Sequence, residues 1–168
     1  RGLYQRAFDY YLKAAEHGEL DKAQYKVGEY YYAFCKGEGK IDFNLTIEEG
    51  ISNAISYYEM AANQGNINAQ IDLYEIFYVG EYVEENDKEA FKWIKMAAQQ
   101  GNAEAECSIA HAYEFGTGVE ADYEEAVKWY EKAAEQGCKE AIRELGFAYR
   151  TGDLHLCPSD EKSFYYYM

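Results

Sequence analysis

One nine-residue string occurs four times along this chain, and its spacing leaves few architectures open. Ala7 to Ala15 reads AFDYYLKAA, and the pattern returns as AISYYEMAA at Ala54 to Ala62, AFKWIKMAA at Ala90 to Ala98 and AVKWYEKAA at Ala126 to Ala134. Each copy is followed three residues later by a glycine: Gly18, Gly65, Gly101 and Gly137. The last three glycines stand 36 residues apart, and the first interval is 11 residues longer, most of the excess falling between Phe34 and Thr46. Self-similarity at such a period marks stacked supersecondary units, each unable to bury its apolar face alone.

Every unit divides at its turns into two helices. One carries the alanine-aromatic string, in which Ala126, Tyr130 and Ala133 share a face at i, i+4 and i+7. The glycine behind it suits a left-handed helix terminus. The other opens on Ala23, Ala69, Ala105 or Ala141 and holds Val27-Gly28-x-x-Tyr31, Leu73-Tyr74-x-x-Phe77, Ile109-Ala110-x-x-Tyr113 or Leu145-Gly146-x-x-Tyr149. Starts are marked by Thr46-x-x-Glu49, Asn86-x-x-Glu89 and Asp122-x-x-Glu125, which are capping-box patterns or close relatives of them. Gly37-Glu38-Gly39, Val79-Gly80, Gly116-Thr117-Gly118-Val119 and Thr151-Gly152 read as turns. A single proline, Pro158, in a chain rich in Ala, Glu, Lys and Gln agrees with helix throughout.

These strings and their period resemble the Sel-one-like repeat (SLR) family, relatives of the tetratricopeptide repeats, over nearly the whole chain. Tyr74 and Ala110 depart from the family's second-helix glycine, and the insertion at about 35–46 has no counterpart in the other units, so it is a candidate contact loop. The resemblance implies an all-α, α/α repeat solenoid: about four 36-residue helix-turn-helix units, nine helices in all, stacked as a right-handed superhelix. The expected domain is one solenoid over 1–168. Its phase opens with half a unit and stops on the start of another alanine-aromatic helix, Ser163 to Met168, so both ends read as cut.

Composition narrows the partner. Thirty-one acidic against 16 basic residues give a formal charge of −15, which repels phosphate backbones and anionic headgroups. Neither nucleic acid nor a membrane is expected, and no apolar run reaches the roughly 20 residues needed to span a bilayer. A protein or peptide with a basic contact surface fits better. Nineteen tyrosines offer rings suited to half-buried seams and grooves.

Chemistry is not legible. Cys35, Cys107, Cys138 and Cys157 follow no repeat spacing and form no C-x-x-C pair, so a reducing, cytoplasmic setting is expected. A secreted or periplasmic one stays open, because the chain begins at Arg1. Cys107 and His111 are spaced like two metal ligands, but no second Cys/His cluster accompanies them. Gly116-Thr117-Gly118 lacks the Lys-Ser/Thr of a phosphate loop, and His17 and His155 sit beside a helix end and in a turn. Asn44-Leu45-Thr46 is a glycosylation sequon whose plainer role is to supply Thr46 as a helix cap. No cofactor and no catalysis are expected.

The expected function is a non-catalytic interaction scaffold or adaptor. Two alternatives stay open: an immunity or inhibitor protein neutralising a basic toxin, and a regulatory repeat segment of a larger enzyme. In tetratricopeptide-like solenoids the first helix of each unit lines the concave surface, and its core positions here are Ala105, Ile109, Tyr113 and their equivalents. Steps of three, four and three on the opposite face select Lys22, Tyr25, Glu29 and Tyr32, then Asn68, Ile71, Glu75 and Tyr78. They continue with Glu104, Cys107, His111 and Glu114, then Glu140, Arg143, Phe147 and Arg150. This set is the expected partner-binding face.

Overall fold

The computed structural model describes residues 2–16 and 20–168. His17, Gly18 and Glu19 lie outside them, and with them the glycine expected to close the first helix. Among the described residues there are nine α-helices, a single 3-10 turn at Asp153–His155 and no strand. The alanine-aromatic strings form α1 (Gly2–Glu16), α3 (Ile47–Asn63), α5 (Asp87–Gln99) and α7 (Tyr123–Glu135). The partner helices are α2 (Asp21–Cys35), α4 (Ile67–Val79), α6 (Ala103–Phe115) and α8 (Lys139–Thr151), and α9 (Asp160–Tyr167) follows α8. The chain divides into two compact units, Arg1–Glu85 and Asn86–Met168.

The corner between paired helices is written in the sequence Ala-Ala-x-Gln-Gly-Asn. In the first unit the Gly65 amide donates to the Ala62 carbonyl at 3.0 Å and the Asn66 amide to Ala61 at 3.1 Å, with Gly65 left-handed at φ 92°. That is a Schellman closure of α3. Asn66 then turns its side chain to the amide of Ala69, 3.0 Å away, and caps α4. One asparagine thus ends one helix and starts the next. In the second unit Gly101 and Asn102 repeat the corner. Gly137 and Cys138 repeat only its first half, because a thiol provides no side-chain cap there.

The expected starts are present. Thr46 and Glu49 make a complete capping box, while Asn86 and Asp122 each accept the amide three residues on. Ser159 caps α9 in the same way. Gly80, Gly116 and Gly152 close the partner helices in the left-handed region, so the glycine triplet at 116–118 is a turn.

In the first unit each helix from α1 to α4 packs on the next. Phe8, Ala15, Ala23, Val27 and Ile41 form a buried cluster that Tyr30, Tyr31, Phe43 and Tyr57 extend. The insertion therefore folds inward: Ile41 is buried, and the Phe43 ring lies 4.9 Å from Phe8 and 4.7 Å from Tyr31. Ile41 and Phe43 anchor it to the core, while Lys36 to Lys40, Asp42 and Asn44 stay exposed. Gly28 is needed on α2, because a Cβ there would stand 2.6 Å from the Tyr58 ring. In the second unit α5 to α9 also pack in sequence, around Ala110, Ala126, Tyr130, Ala133, Ala141 and Leu145.

Each unit joins non-adjacent positions by a polar pair whose inner member, Gln24 or Glu106, is buried. The Gln24 side chain accepts from Gln64, and the Glu106 carboxylate accepts from Gln136 at 2.6 Å. Both link a partner helix to the C-cap of the following helix.

Candidate functional site

Local helix geometry decides which side chains α2 and α4 can offer in the first unit. With Ala23, Val27 and Tyr31 turned to the core, Tyr25, Glu29 and Tyr32 fall on another face, and there they meet Tyr58 of α3. The Tyr25 ring lies 5.7 Å from Tyr58 and the Tyr32 ring 6.3 Å. The phenols of Tyr25 and Tyr58 both donate to Asp72 on α4. Burial lifts the Asp72 carboxyl to about 6, the neighbouring charges of Glu75 and Glu29 add to the rise, and the two phenol hydrogen bonds oppose it. Tyr25 and Tyr58 are themselves pushed far up, first by burial and then by Asp72.

Beside this network Tyr32 meets Tyr82 edge to face, centroids 6.0 Å apart. Tyr32, Glu75, Ile76, Val79, Glu81 and Tyr82 line a pocket of about 180 Å³. Burial, with Glu81, Tyr82, Glu75 and Asp72 nearby, pushes the Tyr32 phenol up to about 12. Tyr78 stacks on Tyr74 at 5.3 Å yet keeps 47% of its surface exposed. Lys22 and Asn68 are exposed, Ile71 is half-buried, and Glu29 pairs with Lys26 at 2.5 Å. A larger cavity of about 440 Å³ opens where α1, α2 and the insertion meet, walled by Tyr4, Tyr11, Tyr30, Lys26 and Lys40. Lys40 closes one side by donating to the Tyr4 hydroxyl at 2.9 Å.

In the second unit the Tyr130 phenol donates to Glu114 at 2.6 Å, and the His111 ring stands 5.4 Å from Tyr130. Glu104 is exposed. Arg143 is tied to Glu144 at 2.8 Å and reaches Glu140 at 3.7 Å, while Arg150 lies over Phe147, itself 41% exposed. Cys107 corrects the sequence-derived face. It is 2% exposed, packed with Tyr130, Ala141 and Leu145 and in hydrogen-bond contact with the Cys138 thiol. Burial pushes its thiol well up, away from thiolate chemistry. An interior helix of a stack has neighbours on more than one side, so counting residues away from its core face does not end in solvent.

Sequence reasoning missed Asp72, Tyr58, Glu81 and Tyr82. Asp72 carried a faint signal, a carboxylate set between the apolar Ile71 and Leu73 and one turn of helix from Ala69 and Ile76. Among the described residues no group of three His, Cys, Asp or Glu side chains is gathered around a point, and no helix is long and apolar enough to cross a membrane.

Comparison with known proteins gives the family. The Sel1 repeat profile matches residues 3–19, 21–66, 69–102, 103–138 and 139–167. A search of curated proteins returned no match. Among solved structures, a Sel1 repeat protein from Oxalobacter formigenes is similar at 29% identity and a TM-score of 0.73, covering 95% of this chain and 61% of its own. The protective antigen c5321 of uropathogenic Escherichia coli, which displays an SLR fold, is similar at 30% identity and a TM-score of 0.77, covering 95% of this chain and 32% of its own. The chain thus spans less than two thirds of either protein. Immunity protein Pa5087 from Pseudomonas aeruginosa shares the fold at 21% identity and a TM-score of 0.52, over 98% of this chain and 72% of its own. Sel1 repeat proteins generally mediate protein–protein interaction and are generally non-catalytic. With matches along its whole length and helical pairs to fit them, the chain belongs to the Sel1 repeat family.

Proposed function

We propose that this chain is a non-catalytic adaptor that holds a partner protein on the exposed faces of α2, α4, α6 and α8, and that the partner presents a basic surface. Family membership along the whole chain is the observation that carries the adaptor reading. The formal charge of −15 supports the basic partner. Within the first unit Glu75 and Tyr78 support the face, and within the second Phe147 does, since each leaves a large part of its side chain to solvent. Aromatic anchors of this kind dominate interface energetics.

The test is capture of the partner from the source cell by cross-linking, followed by Glu75→Ala, Tyr78→Ala and Phe147→Ala with helicity and melting checked. Loss of about tenfold in affinity, about 1.4 kcal/mol, is expected for at least one. Unchanged binding in all three would move the interface to another face. The charge equally supports neutralisation of a basic toxin, and the identity of the captured protein decides between the two.

A further inference from the structure

We infer that the pocket between α2, α4 and the turn after α4 is a socket for a single lysine or arginine side chain of the partner. The inference rests on the adaptor reading and adds to it a ligand class and a place. Size is the first argument. At about 180 Å³ the pocket is smaller than the roughly 300–1,000 Å³ of small-molecule sites. It has room for one long side chain and not for a helix or a cofactor.

The lining is the second argument. Tyr32 and Tyr82 stand nearly perpendicular, with planes 83° apart, and form an aromatic corner against the aliphatic Ile76 and Val79. Glu75 and Glu81 are exposed carboxylates of the same lining, and no lysine or arginine belongs to it. An alkyl stem fits the aliphatic and aromatic walls, and its charged head then meets two carboxylates and ring faces that favour cations. An anionic guest would meet repulsion, and a purely apolar one would leave the carboxylates without a counter-charge.

The third argument comes from the chain's own cations. The Lys36 ammonium lies 5.6 Å from the centre of the Tyr32 ring and 3.7 Å from Glu38. Tyr32 therefore already attracts a cation on this side of the unit. The Tyr82 phenol and the Glu81 carboxylate are chain neighbours that interact with each other, so ring and charge lie together in the lining.

The test is an NMR titration of the whole chain with Nα-acetyl-lysine N-methylamide and its arginine counterpart. Nα-acetyl-norleucine N-methylamide serves as a probe of the same shape without the charge. Saturable shifts centred on Tyr32 and residues 75–82 are expected for the two cationic probes and not for norleucine. Glu75→Gln with Glu81→Gln, two exposed and isosteric changes, should weaken the cationic probes by about fivefold or more, as expected for a cation losing two counter-charges at once. Equal binding of norleucine, or shifts spread evenly over the acidic surface without saturation, would overturn the socket. Failure of the adaptor reading looks different: no protein would be captured while lysine still titrated the pocket. Loss of the socket alone would leave a captured partner still sensitive to Tyr78→Ala or Phe147→Ala.

Discussion

Burial holds the Asp72 carboxyl at about 6, with Glu75 and Glu29 adding to the rise. A carboxyl raised in the folded state binds its proton more tightly there than in the unfolded chain. Its contribution to stability is therefore full below the ordinary aspartate range and is lost as pH rises through about 6. Asp72→Asn keeps an acceptor for the Tyr25 and Tyr58 phenols and removes the charge. It should raise stability at pH 7.5 by about 1–2 kcal/mol, a value reduced from the full shift because the group is only partly buried. The gain should vanish near pH 4. Thermal melts of both proteins across that range check this, and a variant less stable at pH 7.5 would mean that the charged form is the one the phenols favour.

At the scale of the element, the helical corners differ by one residue. Asn66 and Asn102 each cap the following helix, whereas Cys138 occupies the same place without a side-chain hydrogen bond. Cys138→Ser is nearly isosteric and supplies the missing acceptor. It should stabilise the second unit by about 0.5–1 kcal/mol, read as a higher melting temperature. The thiol contact with Cys107 is the competing interaction, so an unchanged or lower temperature would show that this contact outweighs the cap. Both outcomes belong to one turn, since the first half of the corner, through Gly137, is already closed.

For the whole molecule, the balance of charge sets the response to salt. Ion pairs such as Lys92 with Glu89 at 2.9 Å and Lys128 with Glu125 at 2.7 Å lie within single helices with their side chains exposed. Pairs of this kind are worth little. In a chain of formal charge −15, repulsion among the remaining carboxylates exceeds what such pairs contribute. Raising sodium chloride from about 20 mM to about 300 mM should therefore raise the melting temperature by about 2–4 °C, the equivalent of about 1 kcal/mol for a chain of this size. A fall would mean that the exposed pairs outweigh the self-repulsion.

The sequence by itself determined the helical pairs, their period and most of their ends. Those features are local: an alanine-aromatic face needs only the 3.6-residue turn, and Gly65 or Thr46 acts on amides a few residues away. It also placed Glu75, Tyr78 and Phe147 in solvent, because one unit's core face leaves the opposite side open where no neighbour covers it. Tertiary structure decided the rest. Cys107 was lost from the exposed face to the helices packed against α6, and the insertion turned inward through Ile41 and Phe43. Tyr25, Tyr58 and Asp72, from three different helices, were joined by hydrogen bonds spanning 47 residues of chain from Tyr25 to Asp72. Such contacts depend on which helices become neighbours, and a repeat spacing does not carry that information for a side chain occurring in one unit only.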